Sequence, residues 1–159
     1  MQLYTVAGAL MLVMSALDCA RRLNRNTDRN ISLIDGYIAL LRFARMQIDC
    51  YALPVDEIFK RCDRDMLSSC GYDCDELPSE FVDFFEKLSI NDKTVGRIVF
   101  EFCSDFGKHY REEQLKRCDA CISELETVRD KLRSEAKNSK KLCLTLCLSG
   151  AIALIIVLI

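Results

Sequence analysis

Hydrophobic residues dominate both ends of the chain, whereas hydrophobic and polar positions alternate with a helical period between them. Residues 142–159, eighteen in all, carry no charge, and residues 1–20 carry a single one, Asp18. A helix of eighteen residues is roughly 27 Å long, close to the thickness of a bilayer core. We therefore predict a transmembrane helix at 142–159 and a shorter membrane anchor at 1–20.

Each end also admits another interpretation. Residues 142–159 could form a buried core helix, although such a helix usually has a polar face and this segment has none. Residues 1–20 could be a cleaved signal peptide or a non-spanning amphipathic end. A signal peptide carries positive charge before its hydrophobic run, whereas the first positive charge here, Arg21, follows it.

Positive charges flank both predicted anchors on the side of the central segment. They form one group after the first anchor and one before the second: Arg21, Arg22, Arg25 and Arg29, then Arg133, Lys137, Lys140 and Lys141. Cationic flanks stay on the cytoplasmic side of a membrane. We therefore expect residues 21–141 to form a cytoplasmic domain and both termini to lie outside.

Apolar residues of the central segment recur at steps of three and four residues, which predicts helices. Thr27 or Asp28 is placed to cap a first helix that runs to about Cys50. A second helix starts at about Val55, and residues 68–75 form a polar loop.

Three further positions mark the helices that follow. Pro78 begins one helix, Asn91 or Asp92 caps the next, and Gly107 is placed to end it. No segment shows the two-residue alternation of a strand. The pattern predicts an all-α fold, an antiparallel bundle of about five to six helices between N- and C-terminal transmembrane helices.

The last predicted helix is the longest, because no Pro or Gly interrupts the chain between Arg111 and Gly150. If it continues into the membrane it has about 49 residues and a length of roughly 73 Å, and it would couple the domain rigidly to the bilayer. A narrow apolar seam runs along it: Leu115, Cys118, Ile122, Leu125, Val128 and Leu132. We expect the seam to pack on the domain's own helices; the alternative is a stalk without a partner.

Composition and charge limit the classes of function. Half of the 159 residues are hydrophobic and 29% are charged, which suffices for one folded domain. The formal net charge of −2 gives no basic field, so nucleic acid is not an expected partner. No Walker, dinucleotide-binding, nucleophile-elbow or zinc-protease motif is found. We predict a protein that is not an enzyme, with no cofactor and no small-molecule substrate.

The ten cysteines suggest the main alternative function. Their positions at apolar helical sites favour reduced thiols that pack as small hydrophobes in a reducing compartment. One cluster has residue types that bind zinc: Cys103, His109, Cys118 and Cys121. Cys70 and Cys74 could likewise form a disulfide or a metal site. The alternative is therefore a membrane-tethered regulator that senses metal or redox state.

Several stretches, in this order and spacing, make the chain resemble the stage III sporulation protein AB family of endospore-forming bacteria. They are residues 7–13 followed by Arg21-Arg22, residues 40–48 followed by Pro54-Val55, Phe102, Phe106 and Gly107 with Gln114 downstream, and Lys141 followed by a Leu-rich end with Ser149-Gly150. The chain departs from the family at Gln47, Cys50 and His109-Tyr110, where the family tends to have Glu, Tyr and Ser-Asp.

The resemblance implies a domain similar to the helical-bundle F domain of type II secretion platform proteins. It also implies a non-enzymatic platform or adaptor role in the channel complex between mother cell and forespore. There the protein would lie in the mother-cell-side membrane and couple a cytoplasmic secretion-type ATPase, stage III sporulation protein AA, to membrane components. For the partner-binding residues we predict polar positions of the first and last helices: Arg42, Arg45, Arg117 and Arg129.

Overall fold

The computed structural model describes residues 2–51, 53, 55–74, 76–88, 90 and 92–158, and all regular elements in these ranges are α-helices. The six helices are α1 (Gln2–Tyr51), α2 (Val55–Lys60), α3 (Arg64–Ser69), α4 (Phe81–Glu86), α5 (Lys93–Asp105) and α6 (Arg111–Leu158). The predicted all-α fold is confirmed. Pro54 and Asn91, named in the predictions above, lie outside the described residues.

The chain divides into two compact units, one formed by residues 1–29 and 132–159 and the other by residues 30–131. In the first unit, Lys140 Nζ lies 3.2 Å from Asp28 Oδ1, and Ala136 is buried. Across the residues that the structure describes, no helix combines the length and the apolar character needed to cross a membrane. The boundaries 1–20, 21–141 and 142–159 stay a prediction.

The prediction that Thr27 or Asp28 begins a helix is wrong, because α1 runs through both positions. No proline and no glycine lies between Gly8 and Gly36 to interrupt it. The Asp28 carboxylate forms an ion pair with Lys140. The predicted end near Cys50 is confirmed, since α1 ends at Tyr51.

The segment between α1 and α5 departs most from the predictions. Helix α3 was not predicted, and Asp63 caps it by accepting a hydrogen bond from the backbone N–H of Asp65. Residues 68 and 69 still belong to α3, and the polar loop predicted from there contains two buried residues, Cys70 and Tyr72. The Tyr72 hydroxyl donates to the carbonyl oxygen of Glu76 at 2.7 Å, which allows this polar ring to be buried.

The helix predicted to start at Pro78 starts three residues later. Glu80 has an extended backbone with φ −134° and ψ 161°, so the helical conformation begins only at Phe81. The hydroxyl of Ser79 donates to the carboxylate of Asp83 across this start.

The predicted ends of α5 are confirmed. The carboxylate of Asp92 accepts hydrogen bonds from the backbone N–H groups of Thr94 and Val95, at 2.8 and 3.1 Å. Gly107 follows the helix with φ +83°, a conformation that glycine adopts without steric cost. The single helix predicted from Arg111 onward is confirmed as α6.

A cluster of aromatic rings forms the core of the 30–131 unit. Phe81 of α4 has ring centroids of four other phenylalanines within 6.4 Å, the nearest being Phe106 at 4.1 Å and Phe59 at 4.6 Å. Tyr37, Leu40 and Leu41 of α1 and Cys121 of α6 line the same region of the core. The core therefore joins α1, α2, α4, α5 and α6.

Helices α1 and α3 approach each other closely at Gly36. A Cβ atom at this position would overlap the carbonyl oxygen of Ser69 and lie 2.6 Å from its carbonyl carbon. Only a residue without a side chain fits this contact.

Candidate functional site

Three of the four arginines predicted to bind a partner tie α1 to α6. The Arg42 guanidinium donates to Glu126 at 2.5 Å, and Arg45 donates to Asp119 at 2.6 Å. Arg129 Nη1 lies 3.4 Å from Asp35 Oδ1. As residue numbers rise along α1, those of the partners on α6 fall, so the two helices run antiparallel.

The fourth predicted arginine, Arg117, links α6 to the end of α5. Its Nη1 donates to Asp105 Oδ2 at 2.8 Å, and its Nε lies 3.5 Å from Glu113 Oε1. All four guanidiniums thus have carboxylate partners within the domain, and a partner protein would compete with these contacts. Their role in partner binding stays a prediction.

Arg111, which the sequence did not single out, closes the C-terminal end of α1. Its guanidinium donates to the carbonyl oxygens of Ile48 and Asp49, at 3.3 Å in the case of Ile48, and its Nη2 lies 2.9 Å from the Asp49 carboxylate. The last carbonyls of a helix lack partners inside it and carry partial negative charge. The first residue of α6 supplies the cation that the last turn of α1 lacks.

The cysteine and histidine cluster proposed as a metal site does not assemble. Cys103, Cys118 and Cys121 are buried, and His109 is half-buried in the turn before α6. In the described part of the chain, no three Cys, His, Asp or Glu side chains gather closely enough to hold a metal ion. Cys70 is buried and Cys74 exposed, and neither forms a disulfide.

Burial keeps the thiols of Cys103, Cys118 and Cys121 protonated. Desolvation raises the pKa of Cys118 and Cys121 from 9.0 to about 12, and it raises the pKa of Cys103 further. A nucleophilic cysteine reacts as the thiolate, so these buried, protonated thiols are poor nucleophiles. Above pH 9 thiols in the unfolded chain ionise while the buried thiols do not, so we expect the free energy of unfolding to fall as the pH rises from there.

A thiol-labelling experiment tests this assignment. In the folded full chain at pH 7.5, we expect iodoacetamide to modify Cys50 and Cys74, which are exposed, and to leave Cys118 and Cys121 intact. Denaturation should make all four reactive, and mass spectrometry of tryptic peptides gives the extent at each position. Labelling of Cys118 in the folded protein as fast as that of Cys74 would contradict the assignment.

A cleft of about 390 Å³ lies between α5 and α6 in the 30–131 unit. Its apolar lining consists of Ile98, Phe102, Phe106, Ala120 and Cys121. Its charged lining consists of Glu101, Asp105, Glu124 and Arg117, and the polar residues Ser104 and Gln114 complete it. Three carboxylates and one guanidinium give the cleft a net charge of −2.

Gln114 lies at one end of the cleft and is buried. Its Oε1 accepts a hydrogen bond from the backbone N–H of Gly107 at 3.2 Å, which joins the turn after α5 to α6. Because Oε1 is the acceptor, Nε2 is the donor, and it has no hydrogen-bond partner among the described residues. Sequence reasoning found Phe102, Phe106, Gly107 and Gln114 as a motif, but not the cleft that three of them line.

Comparison with known families gives one clear result. Residues 5–159 match the model of the family described as stage III sporulation protein AB. Comparisons with curated proteins and with solved structures gave no match. Because the family model covers nearly the whole chain, the chain belongs to the stage III sporulation protein AB family.

Proposed function

We propose that this protein is a non-enzymatic platform or adaptor subunit of the channel complex between mother cell and forespore. The family match over residues 5–159 carries this proposal, since the family is one of sporulation proteins. The burial of Cys103, Cys118 and Cys121 also favours it over the metal- or redox-sensing alternative, because buried thiols are poorly accessible to oxidants and metal ions.

The proposed partners are a cytoplasmic secretion-type ATPase, stage III sporulation protein AA, and membrane components of the channel. Residues 1–20 and 142–159 would anchor the protein in the mother-cell-side membrane, with both termini outside. The basis is the sequence: an uncharged C-terminal stretch, a nearly uncharged N-terminal one and cationic flanks on the central side of both. In this proposal the helical domain is similar to the F domain of type II secretion platform proteins.

An adaptor has to present fixed surfaces to its partners. In the 30–131 unit, ion pairs connect α1 to α6 at Asp35, Arg42 and Arg45, and Arg111 joins the end of α1 to the start of α6. The phenylalanine cluster joins α2, α4 and α5, and Tyr37 and Leu40 of α1 line the same region of the core. Contacts of this kind, between residues far apart in sequence, suit a domain that holds its partners in position rather than one that catalyses a reaction.

Affinity capture of the tagged full chain from sporulating cells tests the proposal. We expect recovery of the secretion-type ATPase together with membrane components. Capture that repeatedly lacks the ATPase, from membranes in which that ATPase is detected, would contradict the coupling role.

A charge-swap pair tests the predicted arginine surface in the same assay. Arg42→Glu removes the positive charge and breaks the contact with Glu126, whereas Arg42→Glu with Glu126→Arg restores an ion pair in the reverse orientation. If Arg42 binds the ATPase directly, both variants should lose it. If only the single variant loses it, Arg42 acts through the fold of the domain, and unchanged capture by both rules out a role in binding.

A further inference from the structure

We propose that the cleft between α5 and α6 binds a basic amphipathic helix of a partner protein. The inference rests on the proposed platform function, which requires a docking surface, and it names that surface and the chemistry of its ligand. It differs from the arginine surface predicted from the sequence, because Arg42, Arg45 and Arg129 form ion pairs between α1 and α6 and do not line the cleft. Of the four predicted arginines, Arg117 alone lines it.

The shape of the cleft suits an elongated ligand. Its lining on α6 extends from Gln114 to Glu124, ten residues that span about 15 Å along the helix axis. On α5 and the turn after it, the lining extends from Ile98 to Phe106, about 12 Å. A groove between two helices with these dimensions accommodates two to three turns of a third helix, a common mode of peptide recognition.

The apolar part of the cleft can receive hydrophobic side chains. Ile98, Phe102, Phe106 and Cys121 line it and are themselves buried, while Ala120 is exposed and has only a methyl group. A small residue at the edge of a groove allows a second helix to approach closely. An incoming helix would place leucine-like anchors at three- and four-residue steps over this surface.

The charge of the cleft selects basic residues beside those anchors. Glu101 and Glu124 are exposed, and neither carboxylate forms an ion pair with any residue in the described ranges. Asp105 forms an ion pair with Arg117, with Oδ2 and Nη1 2.8 Å apart. Two unpaired carboxylates on opposite walls attract Lys or Arg and repel phosphate, so anionic lipid and nucleic acid are disfavoured ligands.

Besides the charge of the cleft, the buried amide of Gln114 also indicates a ligand. A buried amide donor without an acceptor costs about 1–3 kcal/mol, and Gln114 is only 4% exposed while its Nε2 lacks an acceptor among the described residues. A backbone carbonyl or a hydroxyl of the bound segment would supply one. The two glutamates make a carboxylate an unfavourable acceptor at this place.

Site-specific photocrosslinking in sporulating cells tests the proposal with the full chain. The photoreactive residue p-benzoylphenylalanine replaces Ala120 in the cleft and, as the control, Ser123, which is exposed on the same helix but does not line the cleft. We expect an adduct at position 120 that is absent at 123. Mass spectrometry should place it in a protein segment that has Lys or Arg beside apolar residues at helical spacing.

Charge reversal supplies the specificity test. Glu101→Lys with Glu124→Lys should reduce the yield of the adduct about ten-fold or more, whereas Glu86→Lys, an exposed position outside the cleft, should leave it unchanged. Because neither cleft glutamate forms an ion pair with a residue that the structure describes, the fold should survive, and an unchanged circular dichroism spectrum verifies this.

Other outcomes would overturn the proposal. These are no adduct at position 120, an adduct with lipid, an adduct with an acidic segment, an adduct with a second copy of this chain, and a yield that charge reversal does not change. The platform function is judged separately by ATPase capture with the unaltered chain. Retained capture in the absence of any adduct would reject the cleft alone, and an adduct with a basic helix in the absence of ATPase capture would reject only the coupling role.

Discussion

Replacing Phe81 with alanine should lower the free energy of unfolding by about 3–5 kcal/mol, the cost typical of emptying a buried phenylalanine site. Phe81 is 3% exposed, and its ring contacts those of Phe59, Phe84, Phe102 and Phe106. These four rings come from α2, α4, α5 and the turn after α5, so the cavity would open where these elements meet. Urea unfolding of the full chain in detergent, followed by circular dichroism, measures the change.

The matched control is Phe100→Ala. Phe100 lies in α5, is 51% exposed and, among the residues that the structure describes, contacts one ring, that of Phe85 at 5.3 Å. Its removal should cost about 1 kcal/mol or less, since little of its surface is withdrawn from water. Equal losses for the two variants would show that the ring cluster is not the core of this unit. A large loss confined to Phe81→Ala is the expected result.

Gly36→Ala should destabilise the protein by about 1–3 kcal/mol, although alanine is the better helix former. The new methyl group would overlap the carbonyl oxygen of Ser69 and come within 2.9 Å of its hydroxyl oxygen. Backbone atoms cannot rotate away as a side chain can, so α1 and α3 would have to separate. Thermal unfolding followed by circular dichroism should show a lower midpoint.

Gly96→Ala is the control with the opposite sign. Gly96 also lies inside a helix, α5, and the nearest atom to an added Cβ is Ile90 Cγ2 at 3.6 Å, an ordinary van der Waals distance. This variant should gain about 0.5–1 kcal/mol from the lower entropy of its unfolded chain. If Gly36→Ala also stabilised the protein, the close approach of α1 to α3 would be disproved.

The local features of the fold follow from the sequence. The cap at Asp92, the end of α5 before Gly107 and the unbroken α6 all depend on residues within a few positions of each other. Hydrogen bonds between residues four apart and the side chains that cap them are encoded locally. Periodicity therefore predicted the all-α class and most helix ends.

The predictions fail where contacts between residues far apart in sequence determine the local structure. Asp28 is a good capping residue by its type, yet α1 passes through it and its carboxylate pairs with Lys140, 112 residues away in sequence. Tyr72 lies in a stretch that reads as a polar loop, yet its ring is buried against Phe84. Helix propensity and loop composition are weak where packing supplies more free energy than local preference.

For the candidate sites, too, some features follow from local sequence and others depend on contacts between distant residues. Sequence patterns alone predicted the all-helical fold, the family, and Phe102, Phe106 and Gln114 as a motif. Three features emerge only from the folded chain: Arg42 and Arg45 pair with Glu126 and Asp119 on α6, Cys103, Cys118 and Cys121 are buried, and an acidic cleft lies between α5 and α6. Charge pairing, burial and grooves depend on which helix faces meet, and that depends on contacts between residues many positions apart.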